Sequence, residues 1–252
     1  MKPFLLLATR GEDVAADGEY EAFCRYGGLA PEQLHRVRLE RDPLPSVDLD
    51  DYSGVLVGGG PFNSSDPEEK KGPVQRRVEA ELAALLDELV ARDFPFLGAC
   101  YGVGTLGAHQ GAVIDGTYSE PVGPVVVELT PDAASDPLLA GMPQSFSAYV
   151  GHKEAVRKLP DHAVLLASSA GCPVQMFRIK QNLYATQFHP ELDGTGMAQR
   201  IAVYRDYGYF PRDEAELVRA RAVAVTITEP MRILRAFVER YSREWRGQAG
   251  QA

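Results

Sequence analysis

Phe94-Pro95-Phe96-Leu97-Gly98-Ala99-Cys100-Tyr101-Gly102-Val103-Gly104-Thr105-Leu106-Gly107 is an apolar run that breaks into glycines around one cysteine. Phe94 to Leu97 reads as a buried strand, Cys100 as a sharp turn, and the residues from Tyr101 as a helix. That is the strand, turn and helix of a nucleophile elbow, with sulfur in place of oxygen. The turn forces its nucleophile into an unfavourable backbone conformation, and a β-carbon at Gly98 or Gly102 would collide with the neighbouring strand or helix. A cysteine at a helix N-terminus faces the partial positive charge of the first-turn amides, which favours thiolate over thiol. The competing account of Cys100 is a small buried hydrophobe, the ordinary use of a free cysteine.

A second stretch, Tyr184-Ala185-Thr186-Gln187-Phe188-His189-Pro190-Glu191, reads as a strand ending in His189. Side chains two apart on an extended backbone share a side, so Glu191 can orient the imidazole while His189 faces the sulfur. Cys100, His189 and Glu191 are thus a candidate triad. A third stretch, Gly58-Gly59-Gly60-Pro61, follows the apolar Gly54-Val55-Leu56-Val57. It lacks the spaced glycines of a dinucleotide site and the Gly-Lys-Ser/Thr of a phosphate loop. Close approach of backbone N–H groups to a developing negative charge accounts for it better.

Gly98-Ala99-Cys100-Tyr101-Gly102, His189-Pro190-Glu191 and Gly58-Gly59-Gly60-Pro61 together resemble the class I glutamine amidotransferases, especially the glutaminase domain of GMP synthases, across about residues 1 to 195. The resemblance implies an α/β fold, a γ-glutamyl thioester on Cys100, His189 as base and Glu191 as its orienting carboxylate. It implies an oxyanion hole from the amides of Tyr101 and of a glycine of the 58–60 loop, Gly59 or Gly60. Family members usually carry a glutamine where this chain has Gly104, which bears on how the substrate glutamine is held and suits a more open pocket. Tyr149-Val150-Gly151-His152 resembles the histidine segment bordering the family's substrate pocket. Tyr149 and Val150 are then expected as pocket walls through backbone contacts, and His152 as a contributor to glutamyl binding or as a hydrogen-bonded structural histidine.

The chain has 252 residues, 45% of them hydrophobic, enough for one sizeable core or a domain with an appendage. Its longest apolar runs are strand-sized, and Met1 to Thr9 reads as a first buried strand rather than a leader. Cys24, Cys100 and Cys172 are odd in number and scattered, which argues for a reducing, cytoplasmic setting and against a disulfide framework or metal cluster. His35, His109 and His162 show no paired ligand pattern, so neither metal nor cofactor is expected. A formal net charge of −9 disfavours nucleic acid and anionic membrane as partners.

Helices are expected over 17–26, over 74–91 with Val78, Leu82, Leu85, Leu86 and Leu89 as its apolar stripe, and over 101 onward. The alternation of strands and helices up to Cys100 implies a mostly parallel central sheet flanked by helices. Residues 63–73 are polar and breaker-rich, an exposed connection or a lid. Short strands are expected across 111–179. Past the catalytic strand, helices are expected over 197–207, 213–222 and 229–245. The chain therefore divides into a catalytic domain over 1–195 and a helical extension over 196–252, packed on it as a cap, a homodimer face or a dock for a synthetase.

Three functions fit. One is a free-standing glutaminase that supplies ammonia to a separate synthetase subunit. Another is a γ-glutamyl peptidase or hydrolase acting on γ-glutamyl conjugates. The third is a catalytically silent regulatory subunit, which the intact triad disfavours.

Overall fold

The structure, a computed structural model, describes residues 1–248, the side chains of 243–248 excepted. Alternation decides its first element. In β1 (Phe4–Ala8) every residue is buried, with Phe4 and Leu6 in one apolar cluster and Leu5 and Leu7 in another, so the strand is covered on both faces. α1 (Asp13–Gly27) follows and stops at Gly28, whose left-handed φ of 67° ends the helix. β2 (Leu34–Arg38) and β3 (Gly54–Val57) flank β1 in parallel. α2 (Pro73–Arg92) starts with proline in its first turn, where the missing N–H costs nothing. Its predicted stripe of Val78, Leu82, Leu85, Leu86 and Leu89 is buried against Leu5, Leu7, Val55 and Val57.

The elbow strand is β4 (Phe96–Ala99), two residues later than its sequence suggests, and α3 (Tyr101–His109) restarts immediately after Cys100. β5 (Val113–Asp115) pairs only with β8 (Ala155–Lys158) in a small separate sheet. β6 (Glu120–Leu129), β7 (Ser145–His152), β9 (Ala163–Ser169), β10 (Met176–Ile179) and β11 (Leu183–Thr186) complete the main sheet. Its order is β2-β1-β3-β4-β11-β10-β9-β6-β7. Pairs from β2 to β11 are parallel, and those from β11 to β7 antiparallel. The parallel run places the ends of β1, β3, β4 and β11 side by side, and ligands bind at such carboxyl ends.

α4 (Gly194–Val203), α5 (Ala215–Val223) and α6 (Glu229–Gln248) follow; residues 249–252 of the expected extension lie outside the described residues. On α6, Ile233, Leu234, Phe237, Val238 and Tyr241 pack with Phe23 of α1 and Phe4 of β1, the Phe4 and Phe237 ring centroids lying 6.1 Å apart. Each such buried side chain contributes about 1.5–3 kcal/mol over its exposed state. No described helix is long and apolar enough to cross a membrane.

Candidate active site

Cys100 sits between β4 and α3 with φ 54° and ψ −91°, a backbone conformation that non-glycine residues rarely adopt. The turn is clamped from below, because Cys100 N donates to Thr186 O at 2.8 Å. A β-carbon on Gly98 would lie 2.8 Å from Gly102 Cα, so residue 98 must be glycine for the elbow to close. At Gly102 itself a β-carbon would meet only Val57, at 3.5 Å, an ordinary contact. The tight approach is therefore paid for at one glycine of the pair.

β11 ends at Thr186, and His189 lies beyond it in a turn whose Leu192 N–H donates to His189 O at 3.5 Å. The predicted pairing forms all the same, with His189 Nδ1 2.9 Å from Glu191 Oε1, but by the turn rather than by strand alternation. His189 N donates to Tyr149 O at 3.1 Å, which fixes the backbone of the histidine. Gly59 brings the centre together: a β-carbon there would lie 2.7 Å from His189 Cε1 and 3.5 Å from Cys100 Cβ. Gly59 N–H is committed to Glu19 Oε1 at 3.2 Å. The amides of Gly60 and Tyr101 have no protein acceptor among the described residues.

Around this centre lies a ring of buried charge that the sequence did not announce. Arg10 Nε donates to Glu19 Oε1 at 2.8 Å, and Arg10 Nη1 to the Tyr204 hydroxyl at 3.1 Å. Arg200 Nη2 donates to Glu191 Oε1 at 2.8 Å and reaches Glu19 Oε1 at 3.4 Å, while its Nη1 lies 3.0 Å from His189 Nδ1. All four charged groups are buried, two cations against two anions. Burial alone would raise the Glu191 carboxyl, but His189 and Arg200 outweigh it and hold it well below the usual carboxylate range. Burial lowers His189 from 6.5, Arg200 and Arg10 lower it further, and Glu191 only partly opposes them. Burial pushes the Cys100 thiol up to about 11 against the pull of Arg10 and Arg200. Burial thus works against both a charged imidazole and the thiolate that a helix N-terminus alone suggests.

Two recesses meet at Cys100, Gly60, Gly151 and Tyr209. The one on the His189 side encloses about 50 Å³ and is walled by Arg10, Val150, Met197, Ile201, Tyr204 and Phe210. The other encloses about 20 Å³ and is bordered by Phe62, Tyr101, Gly104, His152, Glu154 and Gln187. Gln187 Oε1 and the Tyr101 hydroxyl, on two of these bordering residues, are buried without a protein partner. Residues 204–210 cover the centre: Lys153 Nζ donates to Tyr207 O at 2.9 Å and sits 4.5 Å from the Tyr209 ring centre, and the Tyr207 hydroxyl donates to Glu12.

Two expectations change and a third is sharpened. Tyr149 lines neither recess; its hydroxyl donates to Ala222 O at 2.6 Å, and only its carbonyl serves the site. Gly104 does not open the pocket, since a β-carbon there would overlap Ser64 Oγ and lie 2.7 Å from Glu154 Oε1. The 63–73 connection is exposed at Ser65 and over 67–70, as its composition suggests, but its start is pinned, because the Glu154 carboxylate accepts from Ser64 N at 2.8 Å and Ser65 N at 2.7 Å. Val150 does wall the His189 side. His152 borders the other recess, but both its nitrogens are engaged, Nε2 with Glu120 Oε2 at 2.9 Å and Nδ1 with Glu154 O at 2.8 Å.

The structure also gathers Glu120, His152 and Cys172, which look unrelated in the sequence, with ligand atoms within 4.8 Å of one another. This cluster is distinct from the triad. Glu120 already accepts from Ser169 Oγ at 3.0 Å and Gln175 Nε2 at 2.6 Å, and burial pushes the Cys172 thiol up to about 12. Its bonds close within the protein, as in a structural network.

A family model described as glutamine amidotransferase class-I matches residues 21–203. The chain is 30% identical over 173 residues to a GMP synthase (glutamine-hydrolysing) subunit of Thermoplasma volcanium, covering 67% of this chain and 79% of that one. It is 29% identical over 150 residues to the GMP synthase of Thermosipho africanus, covering 59% of this chain and 26% of that protein. A solved glutamine amidotransferase from Thermotoga maritima superposes with TM-score 0.75 at 21% identity, over 96% of this chain and 98% of the other. One from Methylobacillus flagellatus gives 0.72 at 19% identity, over 98% and 95%. At such identities the structural likeness speaks to fold.

Proposed function

The chain belongs to the class I glutamine amidotransferase family, and we propose that it hydrolyses the side-chain amide of glutamine or of another γ-glutamyl compound through a thioester on Cys100. The observation that carries this is the convergence of Cys100, the His189–Glu191 pair and the unpaired amides of Gly60 and Tyr101 at adjacent strand ends. With Nδ1 turned to Glu191, Nε2 is the nitrogen left to take the thiol proton. Sulfur then bonds to the amide carbon, and the carbonyl electron pair moves to oxygen, where the two amides receive it. Collapse breaks the C–N bond, and the imidazolium gives its proton to the leaving nitrogen. Water repeats the sequence on the thioester: its proton goes to His189, the C–S bond breaks, and the thiol is restored with release of the γ-carboxylate.

The second recess supports a polar acyl group, since Glu154 and Gln187 border it beside Cys100. A relative named as one subunit of a GMP synthase supports delivery of ammonia to a synthetase partner in the cytoplasm. The reading of a roomier pocket for γ-glutamyl conjugates loses its main support, because Ser64 and Glu154 occupy the space beside Gly104.

Intact-protein mass after incubation with a glutamine-like chloroketone tests the proposal. One adduct on the wild type and none on Cys100→Ser is expected. An unmodified wild type whose Cys100 still reacts with a general thiol reagent would refute glutamyl recognition.

A further inference from the structure

Two neighbours ask opposite things of His189 Nδ1. Glu191 Oε1, 2.9 Å away, can only accept and so favours a proton on Nδ1. The Arg200 guanidinium, with Nη1 3.0 Å away, can only donate and so favours a bare Nδ1. A neutral imidazole serves one of them at a time. With its proton on Nδ1, the ring keeps an Nε2 lone pair for the thiol; with its proton on Nε2, it cannot take the thiol proton at all.

Arg200 holds the stronger position in this arrangement. Its Nη2 also donates to Glu191 Oε1 at 2.8 Å, so the oxygen that would hold the imidazole N–H is shared with a permanent cation, while Glu191 Oε2 is buried without a partner. No hydrogen bond joins the Cys100 thiol to His189 among the described residues. Yet Arg200 has a second seat. Glu19 Oε1 is 3.4 Å from Arg200 Nη2, and Glu19 Oε2 is buried without a partner. Arg200 rides on α4 and Glu19 on α1, two helices packed together. The guanidinium therefore stands between a carboxylate inside the triad and one outside it.

We propose that Arg200 is a positioning residue that restrains turnover: lodged against Glu191 it keeps the His189 proton on Nε2, and shifted toward Glu19 it frees Nδ1 for Glu191 and arms the base. This rests on His189 being the base of the proposed hydrolysis. The charged and titratable groups around the ring are Glu191, Arg200 and Arg10, with Cys100 across the recess, Glu19 behind the arginines, and Tyr204 and Tyr209 on the far wall. Glu19 also accepts from Gly59 N–H, so the same shift reaches the glycine loop. Restraint of the base and geometry of the loop change together.

The test is the long-range ¹H–¹⁵N spectrum of the full chain with labelled histidine, without substrate, His189 being assigned against His189→Asn. Expected is a proton on Nε2 in the wild type and on Nδ1 in Arg200→Met, with kcat for glutamine at least about 10-fold higher in the variant and KM little changed, a modest part of what the wrong tautomer costs a triad. A wild type already protonated on Nδ1 overturns the proposal, as does an Arg200→Met protein that keeps the wild-type tautomer or loses turnover. The wild-type spectrum decides even if the variant does not fold. Failure of the hydrolytic reading shows separately, as an absence of the chloroketone adduct on Cys100 in both proteins while the tautomers are still read.

Discussion

Cys100 is held by backbone, whereas the groups behind His189, and the Gly59 amide that leans on Glu19, are held by side-chain charge. The first region is a strained turn locked between β3, β4 and β11, with Cys100 N on Thr186 O. The second is a ring of Arg10, Glu19, Glu191 and Arg200 drawn from α1, α4 and two strand ends. A backbone lock has one geometry. A ring of shared charges can redistribute its hydrogen bonds, so the rigid half presents the nucleophile while the adjustable half sets the state of the base.

The sharpest way to break this contrast is Glu19→Ala. It leaves Arg10 and Arg200 buried with one carboxylate fewer, and unfolding in denaturant should report a loss of about 3–5 kcal/mol. An unchanged midpoint would mean that the ring is not held by charge. Next comes the thiol. With its folded value at about 11 rather than 9, Cys100 at neutral pH should react with a neutral haloacetamide about 100-fold more slowly than an ordinary thiol. Its rate should keep rising up to about pH 11. The sign for stability follows: the unfolded thiol ionises above 9 and the folded one does not, so this contribution is present below 9 and is lost as pH rises toward 11. A rate that levels off near pH 7 would contradict burial as the dominant influence.

Gly98→Ala probes the locked half directly. A β-carbon 2.8 Å from Gly102 Cα must push the elbow apart, at about 1–3 kcal/mol in thermal or chemical unfolding, with loss of the glutamine-derived adduct on Cys100. Full labelling with native stability would show that the elbow is not locked. The smallest effect is expected at Lys153→Ala. Its contact with the exposed Tyr207 carbonyl contributes under about 1 kcal/mol to global stability, but amide exchange across residues 204–210 should quicken. The two recesses as they stand have room for a few waters at most, so a cover that stayed as protected in this variant would have to open by some other hinge.

The locked half was legible because its constraint is local. Gly98, Cys100 and Gly102 are neighbours in the chain, and so are His189 and Glu191, so one short window carries each requirement. The ring was not legible, since Arg10 meets a tyrosine 194 residues away and an arginine in isolation reads as a solvated surface residue. The anchor of the 63–73 connection is hidden for a similar reason: polar composition predicts its exposure, but the acceptor for the Ser64 amide, Glu154, lies 90 residues on. Tyr149 was placed on a pocket wall by its neighbours, whereas α5 and the turn after it claim its hydroxyl. The parallel half of the sheet could be read from alternating strands and helices, while the antiparallel order β11-β10-β9-β6-β7 depends on pairings between distant segments.

The position of β4 between β3 and β11 has a consequence during synthesis. When Phe96-Leu97-Gly98-Ala99 leaves the ribosome, its neighbour on one side has been made and its neighbour on the other has not. At about 5–20 residues per second, Leu183–Thr186 follows several seconds later. For that interval an apolar strand shows a bare edge, the kind of surface that recruits chaperones or pairs with another nascent chain. The thiol beside it waits as long for its base. A slow stretch of translation just after residue 100 should therefore lower the yield of native protein more than one just after residue 190.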